Sequence, residues 1–240
     1  MIRFYSPDIE STGELPEVES GHCCRVLRMK EGDRVHVVDG KGSCFECEIL
    51  DAHPKHTSLA ILGRSEERKH WKERIVLAVA PTKNIDRIEW LIEKAVEIGV
   101  DEIVLLNCAR SERKKVNEDR LDKIVVSAMK QSLKAEKPLF AGLVSFKEFV
   151  KSAYTECKYV GYCDSETERI GFTEAYPGEK DVTIMIGPEG DFTPEEIELA
   201  RESGFSPVTF GESRLRTETA ALYGVTAVHV VDSIKKQTLY

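Results

Sequence analysis

Apolar positions change their rhythm once along this chain of 240 residues. Over residues 1–62 the hydrophobic runs are short and separated by turn-forming residues. Residues 34–38 and 44–50 alternate like strands and are joined through Asp39-Gly40-Lys41-Gly42. A third strand is predicted over 57–62, after the break at Pro54. Short strands linked by glycine-rich turns predict a small barrel, with a helical turn over 22–28. Residues 64–74 are charged and show no apolar period, which places a linker there. The expected domains are therefore 1–70 and 71–240.

Beyond the linker, strand and helix patterns alternate, as in an α/β domain with a mostly parallel sheet. Residues 75–80 form a wholly apolar strand ending at Pro81. Ile85, Ile88, Leu91, Ile92 and Ala95 share one helical face, and Gly99 closes that helix. A strand is predicted over 103–106, and a helix through Leu121, Ile124, Val125 and Ala128 that ends before Pro138. Further strands are expected at 159–163, 182–186 and 207–210. Residues 220–231 read as a helix that is apolar nearly all round, so it must be buried on the sheet or against a second copy of the chain.

The most informative stretch lies between Ile184 and Ala220. The strand at 182–186 stops at Gly187-Pro188-Glu189-Gly190, a tight turn whose amides can approach a ligand closely. Thr193, Pro194 and Glu196 then carry a helix start with a capping box, and Gly204 ends that helix. The strand at 207–210 is followed by a second glycine loop at Gly211, before another helix beginning near Thr217. Two such loops lie side by side at the carboxyl edge of a parallel sheet, where α/β proteins bind ligands.

The pair resembles the signature loops of the SPOUT methyltransferases, and within that class the ribosomal RNA small-subunit methyltransferase E family. The family wording Gly-Pro-Glu-Gly-Gly-Phe stands here as 187–192 with Asp191 in place of the last glycine, and Leu-Arg-Thr-Glu-Thr-Ala stands unchanged as 215–220. The resemblance thins over the rest of the domain, through Lys83, Arg87, Lys94, Ala95, Glu97 and Gly99, then Arg110-Ser111 and Gln131-Ser132. Ser213-Arg214 and Lys134 depart from the family pattern. The resemblance implies a trefoil-knotted α/β domain preceded by a PUA-like RNA-binding barrel, a homodimer, and S-adenosylmethionine as cofactor. The implied reaction is methylation of N3 of a uridine in 16S ribosomal RNA within the small subunit. The alternatives are another RNA substrate (transfer RNA or 23S ribosomal RNA), or a non-catalytic RNA-binding module.

Net charge −8 weighs against binding nucleic acid by bulk attraction. Local balance differs: residues 21–41 hold five basic residues against three acids, and 110–115 hold four against Glu112 alone. Arg3, Arg25, Arg28, Lys83, Arg110 and Arg214 are the candidate RNA contacts. No signal-peptide pattern opens the sequence and no apolar run reaches membrane-spanning length, so a cytoplasmic, membrane-free protein is expected. Seven cysteines then imply reduced thiols. Cys44 and Cys47 have metal-like spacing, but strand alternation sends them to opposite faces, and no metal site is expected.

Candidate cofactor residues are Gly161, Tyr162, Cys163, Ile186, Gly187, Pro188, Glu189, Gly190, Phe210, Gly211, Arg214, Leu215, Arg216, Thr217 and Ala220. An adenine edge can be read there by main-chain groups between apolar walls. Uridine N3 carries a proton at neutral pH, so methylation needs a proton acceptor or a partner for the growing negative charge. Arg216, just before a helix start, is the candidate charge partner. Glu189 and Glu218 are the candidate acceptors, unless Glu218 simply pairs with Arg216 and Glu189 fixes its turn. Thr217 and Thr219 read as helix caps. A nucleotide-phosphate enzyme is disfavoured because the chain lacks a P-loop motif.

Overall fold

The computed structural model describes residues 2–162 and 170–238, with side chains described to residue 236. The chain divides into two compact units: Met1–Trp71 with Val126–Lys137, and Lys72–Val125 with Pro138–Tyr240. No helix among the described residues is long and apolar enough to cross a membrane.

The first unit contains β1 (Arg3–Tyr5), α1 (Ile9–Thr12), α2 (Glu17–Gly21), a π-type turn His22–Val26, β2 (Arg34–Val38), β3 (Ser43–Asp51) and β4 (Ser58–Glu66). Its paired strands form a four-stranded sheet in the order β1-β2-β3-β4. Only the β1–β2 pair is parallel. Alternation along the strands sends Val35, Val37, Phe45, Cys47, Ile49 and Leu59 into one core with Phe4, Ile9 and Leu15. Asp39 shapes the β2–β3 turn, its Oδ1 accepting from the amides of Lys41 (2.7 Å) and Ser43 (3.0 Å). The linker expected over 64–74 starts later than predicted. β4 continues to Glu66, with Arg64 paired to Phe45 and Glu66 to Ser43. This end of the strand is largely exposed, so backbone pairing continues where apolar alternation has stopped.

The second unit is an α/β sheet. Its elements are β5 (Ile75–Val79), α3 (Ile85–Ile98), β6 (Glu102–Asn107), α4 (Glu118–Gln131, running on into residues of the first unit), β7 (Leu139–Ser145) and α5 (Phe146–Ser152). They continue with β8 (Cys157–Gly161), β9 (Ile170–Gly171), α6 (Phe172–Ala175), β10 (Val182–Ile186), α7 (Pro194–Glu202), β11 (Ser206–Thr209) and α8 (Thr217–Thr238). The seven strands run in the order β7-β6-β5-β10-β8-β11-β9, and every neighbouring pair is parallel. β5 and β10 are buried at every position, as expected of central parallel strands covered on both faces. β7 and α5 were not foreseen. β7 is an edge strand in which only Gly142 is fully buried, although residues 139–144 (Leu-Phe-Ala-Gly-Leu-Val) are apolar throughout.

Caps set the helix limits. Asn84 Oδ1 accepts from the Asp86 amide at the start of α3, and the expected capping box of Thr193 and Glu196 opens α7. Helix α8 lies against α3, β5 and β10. A Cβ on Gly224 would lie 3.0 Å from Ile184 Cγ2, so glycine lets the helix approach the sheet there. One side of α8 is buried on the unit, while Tyr223, Val230 and Ile234 remain exposed.

Candidate active site

The register of β8, β10 and β11 brings three loops to one place. Ile186, the last residue of β10, is level with Gly161 of β8 and with Val79, and Val208 of β11 is also level with Gly161. The loops leaving these strands therefore emerge together at the carboxyl edge and enclose a cavity of about 740 Å³. That is a usual size for a pocket holding a cofactor-sized ligand.

The first loop is held from several sides. The Asp191 amide donates to Pro188 O at 2.9 Å, closing the turn. Asp191 itself has φ 59°, a left-handed conformation in which glycine is at ease and aspartate is tolerated. Its Oδ1 accepts from the Phe192 amide at 2.8 Å, which explains how an aspartate can occupy a position where glycine stands in the resembled pattern. Phe192 is buried against Gly187: a Cβ there would meet ring carbons at 3.0 and 3.1 Å and the Phe192 nitrogen at 3.3 Å. Arg110 Nη1 donates to Gly190 O at 2.9 Å and Phe192 O at 3.2 Å. Glu189 Oε1 accepts from the Lys83 amide at 2.9 Å, so this carboxylate fastens its loop to the end of β5 and the start of α3.

The second loop turns at Gly211, where φ is +114°, a conformation suited to glycine. Thr217 was expected to cap α8. Instead its buried Oγ1 donates to Gly187 O at 3.1 Å, which ties the second loop to the first. The expected pairing of Glu218 with Arg216 is not made. Glu218 faces Arg87 of α3, with Oε1 3.8 Å from Nε, and its buried Oε2 has no hydrogen-bond partner.

The structure gathers most of the predicted residues on this cavity. Its walls include Gly161, Tyr162, Ile186, Gly187, Pro188, Glu189, Phe210, Gly211, Arg214, Leu215, Arg216, Thr217, Glu218 and Ala220. Cys163 lies outside the described residues. Gly190 is absent from the lining; its carbonyl is held by Arg110. Glu212 and Ser213, within the loop expected to hold the cofactor, line the cavity too, and Arg87, Asp191, Val208 and Thr209 also line it without having been anticipated there. For Arg87 a signal existed: its position in the first turn of a helix already matched to the family pattern.

The remaining candidate cations divide into two kinds. Arg25 and Arg28 are exposed on the first unit. Lys83 is exposed and paired with Glu112 at 3.0 Å. Arg3, also expected to contact RNA, is engaged within the first unit. Its side chain is only 7 % exposed, pairs with Glu67 at 2.7 Å and donates to Leu133 O at 2.8 Å. It serves the interior of the first unit. Cys23, Cys44, Cys47 and Cys108 are buried thiols. Desolvation pushes Cys44 and Cys47 up to about 11 and Cys23 and Cys108 up to about 12, so they are poor nucleophiles.

Comparison with known proteins agrees with this arrangement. Residues 69–229 match the RNA methyltransferase domain, and residues 15–62 match the RNA methyltransferase PUA domain. A solved structure from Porphyromonas gingivalis, described as a probable rRNA-methyltransferase, superimposes with TM-score 0.91 at 42% identity, over 98% of this chain and 100% of that one. The ribosomal RNA small subunit methyltransferase E of Neisseria gonorrhoeae, solved bound to S-adenosyl methionine, superimposes with TM-score 0.81 at 27% identity, over 96% and 98%. The protein of that name from Bacillus subtilis (strain 168) is 28% identical over 238 residues, 93% of this chain and 90% of its own. With its sheet, its paired loops and a match across most of its length, this chain belongs to the RNA methyltransferase family that carries an N-terminal PUA domain.

Proposed function

We propose that this chain transfers the methyl group of S-adenosylmethionine to N3 of a specific uridine in 16S ribosomal RNA, presented in the small subunit. The observation that carries this reading is the cavity at the carboxyl ends of β8, β10 and β11, walled by both signature loops. The cavity suits the cofactor. At Gly161 a Cβ would lie 2.9 Å from both Ile186 Cδ1 and Phe210 Cε2, so backbone and apolar side chains form a close-fitting wall for a flat ring. Main-chain groups of Gly161, Tyr162, Ile186, Gly187 and the loop from Phe210 to Leu215 would hold it. When bound, S-adenosylmethionine supplies an electrophilic methyl group on a sulfonium. The protein's share is to hold the base in line and exclude water.

Arg216 lies exposed on the cavity wall one residue before α8, where its guanidinium and the positive end of the helix can meet charge developing on the base. Of the two carboxylates, Glu218 is the better proton acceptor, because Glu189 is engaged by the Lys83 amide. A polyphosphate ligand fits less well: the chain has no P-loop motif, and the three arginines of the lining (Arg87, Arg214, Arg216) are offset by Glu189, Asp191, Glu212 and Glu218. A purely RNA-binding module has no use for the cavity.

The wider reading is a trefoil-knotted second domain that pairs into a homodimer, in a cytoplasmic enzyme acting on the small ribosomal subunit. The insertion of β10 between β5 and β8 supports the knot. The exposed Tyr223, Val230 and Ile234 of α8, together with Trp90 of α3, support a covered apolar face. Arg25 and Arg28, with Lys83, Arg110 and Arg214, are the proposed RNA contacts. Calorimetric titration tests the cofactor: micromolar S-adenosylmethionine binding is expected, and strict preference for a nucleoside triphosphate would overturn the assignment.

A further inference from the structure

The cavity wall carries an opposed donor and acceptor. Glu218 stands in the first turn of α8, where the positive end of the helix falls on its carboxylate. Its side chain is 9 % exposed, its Oε2 is buried without a hydrogen-bond partner, and Oε1 lies 3.8 Å from Arg87 Nε. That separation is too long for a hydrogen bond. Arg74 and Glu102 of the same unit, by comparison, close to 2.8 Å. Arg87 and Glu218 form a loose pair at the cavity wall, the guanidinium with donors to spare and the carboxylate with a buried, unpartnered acceptor.

We propose that Arg87 and Glu218 together read the imide edge of the target base, Glu218 facing N3–H and Arg87 donating to a flanking carbonyl oxygen. This rests on the uridine reading above and adds to it the basis of base choice. Uracil presents acceptor, donor, acceptor along O2, N3–H and O4. Cytosine presents an unprotonated N3 beside an amino group. Against cytosine Glu218 would set acceptor on acceptor at N3, which rejects the wrong base as well as selecting the right one. During transfer the N3–H bond breaks and its proton passes to the Glu218 carboxylate. The electron pair left on N3 forms the new bond to the methyl carbon. The pair of the broken carbon–sulfur bond stays on the donor's sulfur, and the proton on Glu218 leaves to water. Negative charge on the base spreads to the carbonyl oxygens, where Arg87 donates.

The test uses the full chain, tritiated S-adenosylmethionine and small ribosomal subunits lacking the modification, with a second set reconstituted with cytidine at the labelled position. Glu218→Gln should lower turnover on uridine by about a hundredfold or more while cofactor affinity stays within about twofold. It should also narrow the uridine-over-cytidine preference by about tenfold or more, because a glutamine amide can donate to unprotonated N3. Arg87→Ala should lower turnover by about tenfold, Arg87→Lys should recover part of it, and Arg87→Ala in a Glu218→Gln background should cost nothing further. Additive losses in the double variant, an unchanged base preference, or loss of cofactor affinity in either single variant would overturn the pair while leaving uridine methylation by the wild type intact. A wild type that methylates some other atom would overturn both readings.

Discussion

Gly187→Val tests the cofactor loop most severely. Even the first added carbon would approach the Phe192 ring at 3.0 and 3.1 Å and its backbone nitrogen at 3.3 Å. The ring cannot swing away freely, because Phe192 is 1 % exposed and packs on Phe146 with centroids 5.5 Å apart. The carbonyl of Gly187 is also fixed by Thr217. Overpacking of this kind costs about 1–3 kcal/mol. If the loop relieves it by leaving its binding geometry, alanine alone weakens the cofactor by about five- to 150-fold, at about 1.4 kcal/mol per tenfold. Valine adds two methyl groups on a β-branched carbon and should abolish measurable binding. Calorimetry with S-adenosylmethionine, beside a thermal melt to show that the unit still folds, reads the effect. Gly187→Ala/Phe192→Leu should recover part of the lost affinity. Wild-type affinity in a folded Gly187→Val protein would refute the reasoning.

Arg216→Ala should leave cofactor affinity within a few-fold and lower turnover by about a hundredfold or more, as measured by single-turnover methyl transfer. A loss of binding as severe as that of Gly187→Val would make its role structural. Arg25→Ala/Arg28→Ala should weaken RNA binding and flatten its dependence on salt without touching the cofactor, whereas Arg3→Ala should act through a lower melting temperature. Asp232 is raised above the usual carboxylate range, first by burial, even though its Oδ1 accepts from the Glu179 amide, and the charge of Glu73 also contributes. A raised carboxyl favours the folded state when protonated, and this contribution is lost as pH rises through its folded value. Asp232→Asn should therefore raise the melting temperature at pH 8, with the gain vanishing as pH falls toward the ordinary aspartate range. Light scattering at micromolar concentration should give a dimer mass, and Tyr223→Glu/Val230→Glu should give a monomer.

The α/β alternation and the two glycine loops were legible because central parallel strands are apolar throughout and turns need special residues. β5, β10 and the capping box of α7 follow directly from that chemistry. β7 was missed although residues 139–144 are apolar, because the run shows no alternation and is interrupted by Gly142, and β4 ran past its prediction because its final residues are paired by backbone alone. Within the site, the loops named their own lining, but the partners of their polar groups could not be read from them. Thr217 reaches Gly187, Glu189 takes the Lys83 amide, Arg110 clamps Gly190, and Glu218 faces Arg87. Each is a contact across 30 residues or more of sequence, fixed only once β10 lies beside β5 and α8 beside α3.

The proposed product is 3-methyluridine in 16S ribosomal RNA. Unmodified small ribosomal subunits are incubated with the protein and tritiated S-adenosylmethionine, and the RNA is digested to nucleosides and separated beside standards. The tritium should coelute with 3-methyluridine from 16S ribosomal RNA. Label confined to transfer RNA, to 23S ribosomal RNA or to a ribose-methylated nucleoside would contradict it.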